Sequence, residues 1–255
     1  MTVGSLDFLS LWALLLVTIA VGLLSVETGY RLGKLRRRRG EPETESSVGL
    51  MGAATLSLLA FTLAFTFALA ASHLDARQQF VVDEANAIRT TYLRSVFLPE
   101  PQRSTIRDIL RGYVEAHQAG QLELVASQGW HARLWTEAVA AVQNEPGSAL
   151  AGLFIESLNE VIDLNEKRVQ VTLRNRIPSL IWGTLYFVAI LAMAGTGYHE
   201  GLTSVRRSPV MAILVLTFSA VIYLIAELDR PHEGLFNVSH QAMVALRHQL
   251  DETSR

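Results

Sequence analysis

Cysteine is missing from this 255-residue chain. That removes thiolate catalysis, cysteine-ligated zinc and disulfides from the possible chemistries. Lysine and arginine are missing ahead of the first apolar run, from Met1 to Asp7. A cleaved signal peptide carries its positive charge at that place, so the run reads as an anchor with its N-terminus outside. Charge is also missing from the middle of every long apolar stretch. Metal-ligand spacing is missing among the seven histidines. His199-Glu200 and His232-Glu233 both lack the second histidine that a metalloprotease helix needs. There is no glycine-rich phosphate loop, no nucleophile elbow and no pair of carboxylates with an evident acid–base assignment. The expectation is therefore not an enzyme, with no cofactor and no metal. A net charge of −2 gives no global field for nucleic acid.

Hydrophobic residues make up 50% of the chain. They gather in four stretches, at about Phe8–Val26, Val48–Ala71, Pro178–Gly197 and Pro209–Ala226. A bilayer core about 30 Å thick takes roughly 20 apolar residues in a helix, so each stretch can span it. Arg31, Lys34 and Arg36 to Arg39 lie between the first two stretches, and Arg206 and Arg207 between the last two. Short loops rich in Lys and Arg stay in the cytoplasm. The segment 72–177 and both termini are then expected outside, across a bacterial cytoplasmic (inner) membrane. A small echo accompanies the arginines. Thr28-Gly29-Tyr30 followed by Gly33 closes the first stretch, and Thr196-Gly197-Tyr198 followed by Gly201 closes the third. The match suggests a duplicated hairpin.

The segment between the hairpins reads as helices. Val81, Ala85, Ile88, Tyr92 and Val96 recur at helical spacing until Pro99 and Pro101. A second helix starts near Thr105, with Asp108 completing a capping-box-like pattern. Trp130, Leu134, Trp135, Val139 and Val142 mark a third. Asn144-Glu145-Pro146-Gly147 is a turn. A long fourth helix follows, with Leu150, Phe154, Leu158, Val161, Asn165 and Val169 along one side. No strand alternation and no hairpin dipeptide appears. The expected fold is an all-α membrane protein with four transmembrane helices in two hairpins plus a helical extramembrane domain. Long outer helices extend the second and third spans, and Pro178 marks a kink or a helix start. The expected divisions are 1–71 for the first hairpin, 72–177 for the outer domain and 178–227 for the second hairpin. Residues 228–255 are a loop and a short amphipathic helix capped by Ser239.

Several strings resemble the bestrophin-like family of bacterial membrane proteins. They are Glu84-Ala-Asn-Ala-Ile-Arg-Thr-Thr-Tyr-Leu-Arg94, Leu98-Pro99-Glu100-Pro101, and Leu110-Arg-Gly-Tyr113. Leu228-Asp-Arg-Pro-His-Glu-Gly-Leu-Phe-Asn-Val-Ser239 is another, as are Glu27, Gly29, Arg31 and Gly33. The resemblance covers nearly the whole chain. It implies a remote relation to bestrophins, oligomeric anion channels whose four-span subunits narrow the pore with apolar and aromatic residues of the second span. It also implies a cytoplasmic helical domain, where the charge pattern implies an outer one.

The second span carries two faces. Ala53, Ser57, Ala60, Ala64, Ala68 and Ala71 form a small-residue stripe fit for close helix packing. Thr55, Thr62 and Thr66 lie opposite, flanked by Phe61 and Phe65. One reading makes the threonines pore-lining and the phenylalanines a constriction that gates by dewetting. The other is ordinary packing, with each threonine hydroxyl bonded to the carbonyl four residues back. Glu84, Asn86, Arg89 and Arg94 form either a vestibule charge ring in an oligomer or a solvated helix face. Glu27 pairs with Arg31 and Glu227 with Arg230 at span ends. Glu156, Glu160, Asp163 and Glu166 form a solvated face. The leading function is an oligomeric ion channel or pore, with the lipid bilayer, further copies of the chain and small ions as partners. The alternative is a non-conducting membrane scaffold or sensor whose outer domain binds a partner.

Overall fold

The computed structural model describes residues 10–39, 45–118, 124–144, 148–174, 176–203, 209–230 and 241–252. Among these residues every regular element is a helix. They are α1 (Leu11–Arg38), α2 (Glu45–Arg94), α3 (Gln102–Gln118), α4 (Leu124–Asn144), α5 (Ala149–Arg174), α6 (Ser179–Leu202), α7 (Pro209–Asp229) and α8 (Gln241–Glu252). Helices α1, α2, α6 and α7 are long and apolar enough to cross a membrane. Arg206 and Arg207, the 145–147 part of the expected turn, and the loop with its Ser239 cap lie outside the described residues.

The chain divides into two compact units, 1–74 with 176–237 and 75–175 with 238–255. Helix α2 contributes to both. Its 50 residues are more than twice what a span needs, so the helix runs on without a break past the apolar stretch to Arg94. The third span begins afresh. Helix α5 ends at Arg174, and Pro178 caps the start of α6 with an extended backbone, φ −56° and ψ 144°. Proline presets the φ of a first helical turn and has no N–H to leave unpaired. The Ile177 N–H before it donates to Asp229 Oδ1 at 2.9 Å, which ties the start of α6 to the end of α7.

In the membrane unit, α1 and α6 meet along four glycines. A methyl group on Gly29 would collide with the Ala194 carbonyl, and one on Gly33 with that of Tyr198. One on Gly197 would collide with the Val26 carbonyl, and one on Gly201 with that of Tyr30. The contact is reciprocal, backbone against backbone, and only glycine permits it. The repeated Thr-Gly-Tyr and Gly are thus two halves of one seam of the small-xxx-small kind. Lower in the unit, Thr18 donates to the Leu14 carbonyl at 2.8 Å and sits 2.7 Å from the Tyr186 hydroxyl, which must then donate to it. Leu14, Leu59, Leu63, Leu185 and Ile225 complete the apolar core.

The helical unit has its own core, with Ile88, Tyr92, Ile106, Leu110, Leu134, Phe154 and Leu158 at its centre. A 3₁₀ turn at Ser95–Phe97 ends α2, and Leu98 is extended ahead of Pro99, as a residue before proline must be. Helix α3 then starts three residues earlier than its capping pattern suggested, because the Pro99 and Pro101 carbonyls accept from Arg103 and Thr105 at 3.0 and 3.1 Å. Helix α8 belongs to this unit. Met243, Leu246 and Leu250 enter the core, Gln118 Nε2 donates to the Met243 carbonyl at 2.8 Å, and Arg247 pairs with Glu115 at 3.0 Å.

Candidate functional site

Two places combine unusual chemistry with defined geometry. The first is the outward side of α2 in the membrane unit. Successive residues turn by about 100° on a helix. Leu59, Leu63, Thr66 and Ala70 share the buried arc, and Thr55 and Thr62 lie at its edge, half-buried. Thr66 is only 1% exposed. The hydroxyls of Thr62 and Thr66 donate four residues back, to Leu58 and Thr62 at 2.8 and 2.7 Å, and that of Thr55 to Gly52 at 2.9 Å. Thr66 therefore turns into its own protomer, Thr55 and Thr62 stay at the edge of that arc, and all three hydroxyls are satisfied by their own helix. Phe61 and Phe65 point the other way, 71% and 63% exposed. Ala53, Ser57, Ala60, Ala64 and Ala68 share that outward side, while Ala71 is half-buried. The exposed face of the span thus carries Phe61 and Phe65, the small-residue stripe and the aliphatic Leu50, Met51 and Leu58, with Thr55 and Thr62 at its edge.

The second place is a polar cluster inside the helical unit, where four helices converge on Glu84 of α2. That residue is fully buried. Its Oε1 accepts from the Tyr113 hydroxyl of α3 at 2.6 Å and from Asn165 Nδ2 of α5 at 3.3 Å. The same Asn165 nitrogen donates to the Tyr113 oxygen at 2.9 Å. Its Oε2 lies 2.7 Å from Arg168 Nε of α5 and 3.9 Å from His117 Nε2 of α3. His131 of α4 lies against Tyr113, ring centres 5.7 Å apart. A buried carboxylate persists only when paired and hydrogen-bonded; here Oε1 takes the hydrogen bonds, and the Arg168 guanidinium pairs Oε2 by charge without a hydrogen bond. Burial first, and then the Glu84 charge, push the Tyr113 hydroxyl well above its ordinary 10.0. Burial pulls His131 below 6.5, against the opposing pull of Glu84 and Glu166. These positions hold Tyr113 as a hydroxyl donor and His131 as a neutral ring at pH 7. Among the described residues no three His, Cys, Asp or Glu side chains converge on a metal position.

This arrangement breaks up the expected charge ring. Glu84 is inside the domain core, whereas Asn86 and Arg89 are exposed on the opposite side of α2. Arg94 is half-buried, donates to the Leu153 carbonyl at 2.7 Å and lies 3.8 Å from Glu156. Glu27 pairs with Arg31 at 2.7 Å. Glu227 and Arg230 are both buried at the end of α7. Sequence reasoning did not bring Tyr113, His117, His131, Asn165 and Arg168 together.

The architecture defines a helical membrane protein with four helices long and apolar enough to span a membrane and a second helical unit to which the later part of α2 contributes. The chain belongs to the Bestrophin-like family, whose domain model matches residues 14–243. Its fold is similar to that of a bacterial bestrophin homologue from Klebsiella pneumoniae, at 17% identity and a TM-score of 0.65, covering 95% of this chain and 98% of that one. A second crystallised membrane protein is similar at 16% identity and a TM-score of 0.59, over 96% and 99% of the two chains. No curated protein sequence matches. At these identities the structural likeness establishes the fold.

Proposed function

We propose that the protein is an oligomeric channel for small ions, with anions the class that the family resemblance implies, and that the outward side of α2 borders the path. Phe61 and Phe65 carry this reading. They are two aromatic side chains that the span turns outward, one helical turn apart, beside a stripe of small residues and among the exposed Leu50, Met51, Leu58 and Phe67. Around a symmetric axis that pair narrows a pore to an apolar ring, which passes ions only when wetted. The small stripe lets neighbouring α2 helices approach closely. Asn86 and Arg89, exposed further along the same helix, supply polar and positive groups where ions would leave or enter. The arginines of α1 support a cytoplasmic corner between α1 and α2, in a bacterial inner membrane, with the helical unit on the far side.

The test is ion flux from liposomes holding the purified protein. Wild type should pass small anions, and Phe61→Ala and Phe65→Ala should raise the rate by relieving the constriction. Silence of all three proteins, with a particle that shows no central hole, returns the protein to the non-conducting scaffold.

A further inference from the structure

One surface of the helical unit has no role in the reading above. Its centre is the 3₁₀ turn that ends α2. Val96 and Phe97 of that turn, with Leu150 and Leu153 of α5, are 39% to 48% exposed. The two pairs are neighbours, because Arg94 beside the turn donates to the Leu153 carbonyl at 2.7 Å. Charge of opposite sign flanks this apolar centre. On one flank, Arg107 Nε of α3 donates to Ser95 Oγ of the turn at 3.0 Å, and its guanidinium lies 4.9 Å from the centre of the Tyr92 ring. These contacts fix the guanidinium without neutralising it, and among the described residues Arg107 forms no ion pair. Arg103 and Arg111, one turn to either side, are matched by Glu100 at 3.8 Å and Asp108 at 3.3 Å. On the other flank, Leu153, Glu156, Glu160 and Asp163 of α5 are spaced i, i+3, i+7 and i+10, so they share one exposed face. Arg94 lies 3.8 Å from Glu156, whereas among the described residues Glu160 and Asp163 form no ion pair.

From this arrangement we infer that the surface docks a second copy of the chain. Arg107 of one copy meets Glu160 and Asp163 of its neighbour, and the four apolar side chains are covered between them. An exposed apolar patch rimmed by charge is the anatomy of a protein contact. Both signs at opposite edges fit another copy of the same surface. A nucleic acid or an anionic membrane would set like charge against the α5 carboxylates. A guanidinium already held against an aromatic ring loses little freedom when a carboxylate meets it, and it offers a two-point contact. Four side chains fall well short of the roughly 1,200 Å² that a stable interface buries. The contact therefore adds to an assembly instead of making one, so it rests on the oligomer of the reading above and not on conduction.

Cross-linking between copies tests this, since the chain has no cysteine of its own. Two single-cysteine forms of the full chain are co-expressed with different tags and treated in membranes with a short bismaleimide. Arg107→Cys copies should cross-link to Glu160→Cys copies at least about tenfold more than Arg133→Cys copies do, because docking raises the local concentration of the paired thiols. Arg133 is exposed on α4, away from the turn. If Arg107→Cys does not fold, Phe97→Cys takes its place and keeps the arginine. Asp163→Lys on the Glu160→Cys copy should then lower the yield roughly fivefold, since a cation faces Arg107; an unchanged yield would overturn the charge pairing. Equal yields from Arg107→Cys and Arg133→Cys, or no cross-link in a particle that is oligomeric by mass, would overturn this surface and leave the channel reading standing. A monomeric particle would overturn both.

Discussion

Arg168→Met is the most exposing test of the buried cluster. Arg168 Nε lies 2.7 Å from Glu84 Oε2, and the carboxylate is fully buried while the arginine side chain keeps 18% of its surface. Methionine fills similar volume and removes the charge. Stripping one partner from a buried ion pair costs about 3–5 kcal/mol, because the other charge is left without compensation. Tyr113 and Asn165 still donate to Oε1, so the lower end, about 3 kcal/mol, is expected. Glu84→Gln should cost less, about 1–3 kcal/mol. It leaves a guanidinium that can turn part of itself to water, and the amide oxygen can still accept from Tyr113. With both changes no buried charge remains. The double variant should therefore be more stable than the sum of the two costs by about 1–3 kcal/mol, the range found for directly coupled groups. The assay is denaturant unfolding of the whole protein in detergent, followed by tryptophan fluorescence, with Trp130 packed against Tyr113 as a local reporter. A cost under about 1 kcal/mol for Arg168→Met, or strict additivity in the cycle, would show that the pair does not hold the four helices together.

Three further outcomes follow from other parts of the molecule. Gly29→Ala and Gly197→Ala should each destabilise the membrane unit by about 1–3 kcal/mol through overpacking. Gly183→Ala, where a methyl meets nothing within 4 Å, should be neutral or stabilise by up to about 1 kcal/mol; parallel thermal unfolding in detergent separates them. His131 has its folded-state pKa below the unfolded value of about 6.5. Its contribution is thus fully present above about pH 6.5 and is lost as pH falls toward the folded pKa, where the unfolded chain binds the extra proton. His131→Gln should flatten that acid limb, measured as unfolding free energy between pH 5 and 7.5; an unchanged slope would assign the limb to other groups. For orientation, the absence of native cysteine makes Gln128→Cys, exposed on α4, a clean probe. An impermeant thiol reagent should label it in intact cells, and labelling only after lysis would put the helical unit in the cytoplasm.

The helices were legible because their signals are local. Span length and the punctuation of Pro99, Pro101 and Pro178 depend on a few adjacent residues, and the described elements begin and end close to them. The pairing of α1 with α6 was half legible. The echo of Thr-Gly-Tyr and Gly was visible in the chain and read as a trace of duplication. Its physical role, two backbones each needing the other's glycines, involves residues about 170 positions apart, and no periodicity within one helix reports that. The threonine face went the same way. A helix wheel separates Thr55, Thr62 and Thr66 from Phe61 and Phe65 without saying which side meets the protomer, since in a span both sides are apolar enough for lipid.

The buried cluster was written into the sequence in a form that a charge-first reading discards. Glu84 lies on the same stripe as Val81, Ala85, Ile88 and Tyr92, the apolar face of its helix, and was grouped instead with Asn86 and Arg89 because they are polar neighbours. Tyr113 and His117 continue the stripe of Ile106, Ile109 and Leu110, and Asn165 and Arg168 continue that of Phe154, Leu158 and Val161. One polar interruption of an apolar stripe is common and specifies nothing. When stripes on three helices each break to polar residues, burial of all of them at once is tolerable only if they meet, because each would otherwise cost several kcal/mol unpaired. That inference needs no alignment and would have assembled Glu84, Tyr113, Asn165 and Arg168 from the chain alone. It also separates the two readings of Glu84. A vestibule carboxylate must keep an oxygen open to passing ions, whereas this one has both committed to the domain that holds it. Any effect of Glu84 on conduction must then run through the stability of the helical unit, so Glu84→Gln should alter flux no more than Arg168→Met does at equal loss of stability.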